Sequence, residues 1–268
     1  MGVSANLIPT LIDGAVRYNF SGAVLMLGRQ DVEISASELV SVFKTEGFYP
    51  KLSPKNWRES GSHILPECFF QALGFESVDS LDVSNTEGAS IILDLNLSQT
   101  PHELIGRYDV IFDGGTLEHI FHLPNALARC ADMLRAGGAF VHIGPMNNYV
   151  DHGFYQFSST LWFDWFSTNG WTMLESALVR LPSSHRPEPS GWNFSFLPPD
   201  RLGTVGVFDD APYMHFLIAK KEPNATSNRI PMQAYYAKKY ADKLRIDQAV
   251  RSFSPYTVTD GSRSQTPI

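Results

Sequence analysis

The stretch Tyr108–Pro145, YDVIFDGGTLEHIFHLPNALARCADMLRAGGAFVHIGP, limits what this 268-residue chain can fold into more than any other segment. Its opening apolar run, Tyr108-Asp109-Val110-Ile111-Phe112, is short and β-branched enough for a buried parallel strand, ended by Asp113 and two glycines. Leu123, Ala126, Leu127, Cys130, Met133 and Leu134 then fall on one face of a helix, which Gly137-Gly138 are expected to stop. Ala139-Phe140-Val141-His142-Ile143 reads as a second buried strand, closed by Gly144-Pro145. Strand, helix and strand in this order make a right-handed βαβ unit, and ligands of such sheets sit beyond the carboxyl ends of the strands. The polar groups expected at those ends are Asp113, Glu118-His119 and Asn147-Asn148.

The flanks repeat the alternation. Ala23–Leu27 reads as the first strand, ending at Gly28, and Ser35-Ala36-Ser37-Glu38 has capping-box spacing for a helix reaching Thr45. Residues up to Phe20 show helical spacing, expected over the sheet edge. Gly47–Ser62 reads as a long loop, either a lid or a surface insertion. A helix is expected over Ile64–Leu73, and strands over Ser77–Asp82 and Ala89–Asp94. Later come an aromatic helix at Thr160–Asn169, a strand at Met173–Leu181 and a last strand at Tyr213–Ala219. Between those strands lies a Pro-rich segment with Trp192, Phe194 and Phe196. Such alternation is the mark of an α/β fold in three layers. Residues 1–221 are read as one α/β domain and 222–268 as a basic helix (Met232–Arg251) with a disordered tail.

Charge narrows the partners. The formal charge is −7, which argues against a general nucleic-acid binder. From Lys220 onward there are nine Lys/Arg and four Asp/Glu, or +5, leaving −12 on the body. A basic tail of this kind reads as a solvated or docking segment. Cys68 and Cys130, each among apolar residues and without metal-site spacing, read as buried free thiols in a reducing cytoplasm. No apolar run reaches the ~18 residues of a membrane span, and no secretory leader is visible, so a cytoplasmic protein without membrane contact is expected. The oligomeric state is not readable.

The residues FDGGTLEHI, LPNAL and MLRAGGAFVHIGP resemble the fourth-to-fifth-strand segment of class I S-adenosyl-L-methionine-dependent methyltransferases. The likeness is strongest to a bacterial subgroup with Leu-Gly-Arg-Gln after the first strand, here 27–30, and Gly-Gly-Thr-Leu-Glu-His, here 114–119. That subgroup follows with Asn-Asn and His-Gly-Phe-Tyr-Gln-Phe, here Asn147-Asn148 and His152–Phe157. The resemblance implies a Rossmann-like, doubly wound, mostly parallel seven-stranded sheet, αβα in layers, with S-adenosyl-L-methionine as cofactor. It also implies transfer to a small hydroxylated acceptor such as a sugar or metabolite.

On that reading Asp82, at the end of the second strand, accepts from the ribose hydroxyls; otherwise it is a turn aspartate. Asp94, after the third strand, is expected near the adenine amino group, and Asp113 and Gly114 beside the cofactor. The usual glycine-rich turn is reduced to Gly28. Arg29 is expected to compensate by pairing with the cofactor's carboxylate, and Gln30 by holding its amino group. Methyl transfer is an in-line displacement helped by a base near neutral pKa. His152 is the preferred base and His119 the second candidate, with Glu118, Asn147, Asn148, Tyr155 and Gln156 facing the acceptor. No metal is expected, because Gly115 stands where related quinone methyltransferases carry a further acid. Two other readings remain: a catalytically inactive methyltransferase-like partner protein, and a nicotinamide-dependent oxidoreductase. The latter lacks G-x-G-x-x-G, although Tyr235 and Lys239 have Tyr-x-x-x-Lys spacing.

Overall fold

A computed structural model describes residues 2–182, 193–196 and 209–239. Eight strands form the main sheet: β1 Gly22–Leu27, β2 Phe75–Asp82, β3 Ile91–Ile92, β4 Tyr108–Asp113, β5 Leu134–Asn147, β6 Thr172–Arg180, β7 Asn193–Phe196 and β8 Tyr213–Lys220. Their order is β3-β2-β1-β4-β5-β8-β6-β7. The first five are parallel, and β8, β6 and β7 add antiparallel pairings. The expected doubly wound, three-layer α/β fold is thus present, with β7 as one additional edge strand. The order reverses direction at β1–β4, which places the topological switch point there.

Side-chain alternation explains the layers. Val24, Met26, Val110, Phe112, Val141, Ile143, Phe216 and Ile218 pack into one core. Leu25, Leu27, Ile111, Phe140, Leu217 and Ala219, their chain neighbours, pack into the other. Successive residues of a strand point to opposite faces, so strands apolar on both faces demand cover on both. The first core is covered by α1 (Ile8–Arg17), α2 (Ala36–Thr45) and α3 (Pro66–Leu73). The second is covered by α4 (Leu123–Met133) and α5 (Ser159–Thr168). Helix α1 lies on the sheet face rather than its edge: a Cβ at Gly14 would meet Ile218 Cδ1 at 3.0 Å. The capping box forms, Ser35 Oγ accepting from the Glu38 amide and the Glu38 carboxylate from the Ser35 amide.

Several boundaries differ from expectation. Helix α4 stops at Met133, four residues before the glycines, because Leu134 already pairs with Tyr108. Gly137, at φ +80°, then carries the backbone past Lys221, to whose carbonyl it donates. Strand β3 is only two residues long. The segment after Gly47 is a packed insertion whose Trp57 ring sits 5.8 Å from Phe43 of α2. Residues past 221 stay on the body: Trp171 Nε1 donates to the Thr226 carbonyl, and the Ala234 amide to Asp164 Oδ2. Helix α6 (Ala234–Lys239) opens the expected C-terminal helix; the rest of that helix, the tail and Trp192 lie outside the described residues. No helix among the described residues is long and apolar enough to cross a membrane.

Candidate functional site

At the carboxyl ends of β1 and β2 stand Gly28 and Asp82. Gly28 has φ +68°, a conformation cheap only for glycine, and its amide donates to the Leu81 carbonyl. A Cβ there would meet Thr116 Oγ1 at 3.0 Å, Gln30 Nε2 at 3.4 Å and Asp82 Oδ2 at 4.0 Å, so the acid lies beside the turn while Thr116 and Gln30 stand closer to its bare backbone. Asp82 Oδ1 accepts from the Ser84 amide, which orients the carboxylate.

The adjoining crevice between β1 and β4 is more closed than expected. Thr116 Oγ1 donates to the Leu27 carbonyl at 2.6 Å, and Gln30 Nε2 donates to the same carbonyl. These contacts clamp the two strand-end loops together. Gln30 is buried, and its Oε1, which would stand 2.5 Å from a Cβ at Gly114, has no hydrogen-bond partner. Flipping the amide would press that oxygen against the Leu27 carbonyl, so Gln30 leaves an acceptor facing the crevice. Arg29 corrects expectation. Its Nε and a terminal nitrogen both bind Glu67 of α3, at 2.9 and 3.1 Å, so the guanidinium is committed to a side chain rather than turned to a ligand.

Asp94 also corrects expectation, since its Oδ1 takes both the backbone and side-chain amides of Asn96 and closes a turn. Asp113, expected beside the cofactor, is engaged within the protein. It is fully buried, paired at 2.6 Å with Nδ1 of the equally buried His142, and accepts from the Thr116 amide at 2.9 Å. The parallel register sets Asp113 beside His142, an apparent misfit in an apolar strand. His142 and Thr116 are the residues the sequence reading missed. A lone histidine in a buried strand was the available signal for the first.

Beyond the switch point, Glu118 and His119 lie in the single turn Leu117–His119 that follows β4. The loop after β5 folds back onto that turn. Asn148 and Asp151 both take φ of 60°, and the Phe154 and Tyr155 amides donate to the Glu118 carbonyl at 2.8 and 3.2 Å. Gly153 permits this approach, because a Cβ would meet that carbonyl at 2.9 Å. The fold-back brings His152 Nε2 within 3.6 Å of Glu118 Oε1, and His119 Nε2 within 4.0 Å. The two imidazole centroids are 5.1 Å apart.

The predicted base and the predicted acceptor-facing acid are therefore one cluster. Glu118 is 0% exposed and neither carboxylate oxygen has a hydrogen-bond partner. Burial, and secondarily the charge of Asp113, push its pKa up to about 8. His119 is shifted down by burial and by His152. Outside the cluster, Phe121 and Phe154 form an exposed edge-to-face pair with centroids 5.6 Å apart.

The remaining predicted acceptor contacts hold the loop instead. Asn148 Nδ2 donates to the Asp209 and Ala211 carbonyls, and Asn147 continues β5 opposite Tyr213. Gln156 Oε1 accepts from the Tyr149 amide, and the Tyr155 hydroxyl donates to the Phe121 carbonyl. The bonds of Asn148, Tyr155 and Gln156 hold the loop in place, while Asn147 is exposed at the end of its strand. Two cavities of about 210 Å³ lie elsewhere, one under α1 and one at the amino ends of β1 and β4, and include none of the predicted residues.

No protein-family model matches the chain, and none of the curated proteins is similar to it. Solved structures do match. A SAM-dependent methyltransferase from Archaeoglobus fulgidus is 12% identical, with a TM-score of 0.38 over 80% of this chain and 93% of that one. A 1,6-didemethyltoxoflavin-N1-methyltransferase from Burkholderia thailandensis, solved with S-adenosylhomocysteine, is 13% identical, with a TM-score of 0.39 over 81% and 80%. Values in this range carry nothing about ligand or reaction.

Proposed function

We propose that the chain is an S-adenosyl-L-methionine-dependent methyltransferase acting on a small hydroxylated acceptor. The observation carrying this reading is Asp82, an oriented carboxylate at a strand end beside the positive-φ turn at Gly28, next to the switch point. That placement suits the two ribose hydroxyls of an adenosyl group. The residues present fit the group at a second point, because the buried Gln30 Oε1 lacks a donor and an amino-acid ammonium supplies one. When bound, the sulfonium supplies an electrophilic methyl and a neutral thioether leaving group.

The chain's own part is to hold the acceptor in line, exclude water and take up a proton. His152, whose side chain is half-buried, receives the acceptor's hydroxyl proton as the oxygen gains the methyl. Tyr149, edge-on with its ring centroid 5.5 Å away, and Glu118, whose Oε1 faces it at 3.6 Å, flank the imidazole. Phe121 and Phe154 cover the acceptor's apolar face.

Calorimetric titration with S-adenosylhomocysteine tests the reading, with Asp82→Ala as the paired variant. Binding by the parent and weakened binding by the variant support it; equal affinity removes Asp82 from the site. The clamp of Gln30 and Thr116 on Leu27 favours a second reading, a binding protein of this fold without turnover. Absence of binding at millimolar ligand favours that reading. Nicotinamide fluorescence on titration separates the oxidoreductase alternative. Its Tyr235 and Lys239 lie on the exposed helix α6, away from the strand ends.

A further inference from the structure

The buried carboxylate of Glu118 poses a physical problem. An ionised carboxylate without water or donors is strongly disfavoured, and such groups are found paired, protonated or bound to a metal. Here both oxygens lack hydrogen-bond partners, and so does the buried His152 Nε2 facing them. At 3.6 Å the imidazole is too far for a hydrogen bond and too near for an intervening water. The unmet groups converge on one small volume: ligand atoms of Glu118, His119 and His152 all lie within 4.8 Å of one another.

Metal geometry accounts for this spacing. Bonds of about 2.0–2.2 Å meeting at octahedral or tetrahedral angles put neighbouring ligand atoms about 2.9–3.5 Å apart. The Glu118 oxygen stands 3.6 Å from His152 Nε2 and 4.0 Å from His119 Nε2, with all three ligand atoms within 4.8 Å, so an ion would need to draw ligand atoms together by up to about an ångström. We infer that Glu118, His119 and His152 form a binding site for one divalent first-row transition ion. This departs from the metal-free expectation drawn from Gly115. That expectation counted acids along one loop, whereas the third ligand arrives from the loop after β5.

Ligand chemistry narrows the ion. Two imidazoles and one carboxylate suit zinc, iron or manganese, while magnesium and calcium prefer oxygen-only shells. With three protein ligands the ion keeps open positions. Glu118 is fully buried and the side chains of His152 and His119 are 31% and 45% exposed, so solvent and ligands reach an ion there from the imidazole side. An acceptor oxygen bound there loses its proton more readily, a use that rests on the methyl-transfer reading and takes over the task of base from His152, whose Nε2 the ion would occupy. Binding itself does not rest on it.

The test uses the full chain, stripped with EDTA and free of any S-adenosyl compound. It is titrated separately with Zn2+, Mn2+, anaerobic Fe2+ and Mg2+, by calorimetry and thermal melting. The expected result is one equivalent of a transition ion and a raised Tm. Glu118→Gln and His152→Ala should each weaken binding at least about tenfold and abolish the Tm rise, while melting near the parent without metal. His63→Ala, which removes an exposed imidazole in a distant hairpin, should bind as the parent does. Failure to bind any transition ion overturns the site, as does uptake of Mg2+ alone or unchanged affinity in both ligand variants.

Discussion

Two carboxylate–imidazole pairs lie within one sheet edge and differ in how completely they are bonded. Asp113 and His142 are side by side in the β4–β5 ladder, both fully buried, with the ring nitrogen 2.6 Å from the carboxylate and a backbone amide on its other oxygen. Glu118 and His152 come from facing loops, 3.6 Å apart, with the acid just as buried and no donor on either oxygen. Only Gly144 separates them: a Cβ there would lie 3.0 Å from His142 Nε2 and 3.7 Å from Glu118 Oε2. Burial of charge is common to both, so burial does not distinguish architecture from chemistry. The carboxylate does: Asp113 is bonded at both oxygens and Glu118 at neither, whereas His142 Nε2 and His152 Nε2 alike have no hydrogen-bond partner.

The comparison breaks most sharply at Asp113. Asp113→Ala leaves His142 buried without its partner and should cost about 3–5 kcal/mol of stability, read as a lowered urea midpoint. A loss under about 1 kcal/mol would make the bonded carboxylate no more structural than the unbonded one.

His215 sharpens the contrast as a buried imidazole facing no carboxylate, bonded instead to Ser176 Oγ at 2.8 Å. Burial, with the nearby His142, lowers its pKa from 6.5 to about 3. The unfolded chain then takes up a proton below pH 6.5 that the folded chain refuses. Its contribution to stability is therefore fully present above that value. It declines on acidification by up to about 1.4 kcal/mol per pH unit. Stability curves of the parent and His215→Leu between pH 7.5 and about 4.5 should diverge in slope, and parallel curves would contradict this.

Asp82→Ala should weaken S-adenosylhomocysteine about tenfold or more, the loss of one or two charge-assisted hydrogen bonds. Glu118→Gln, in metal-free protein, should shift stability by less than about 1 kcal/mol, because no bond made in the folded state is lost. A drop as large as that of Asp113→Ala would erase the distinction. Arg29→Ala should be mildest, below about 1 kcal/mol for a partly exposed pair, with cofactor affinity unchanged. A large affinity loss would return Arg29 to the ligand.

The layered fold, and with it the residues that stand at the carboxyl ends of the strands, were legible because they follow from local pattern. Two-faced apolar strands such as Val24–Leu27 and Val110–Phe112 require cover on both sides, and glycine at 28 marks a turn. Partnership was not legible. Arg29 and Glu67 are 38 positions apart, and nothing local distinguishes a guanidinium awaiting a ligand from one already held by a helix. Asp113 was misassigned for the same reason, its partner being set by strand register 29 positions later. Glu118 and His152 were each singled out, but their proximity depends on two positive-φ residues and a bare Gly153 in the β5 loop.

That loop carries one further implication. Two successive amides, of Phe154 and Tyr155, grip a single oxygen, the main-chain carbonyl of Glu118. Lifting the loop far enough to free His152 thus means releasing the very residue whose side chain His152 faces. Acid and imidazole are geared together, so the cluster opens as a whole or stays shut.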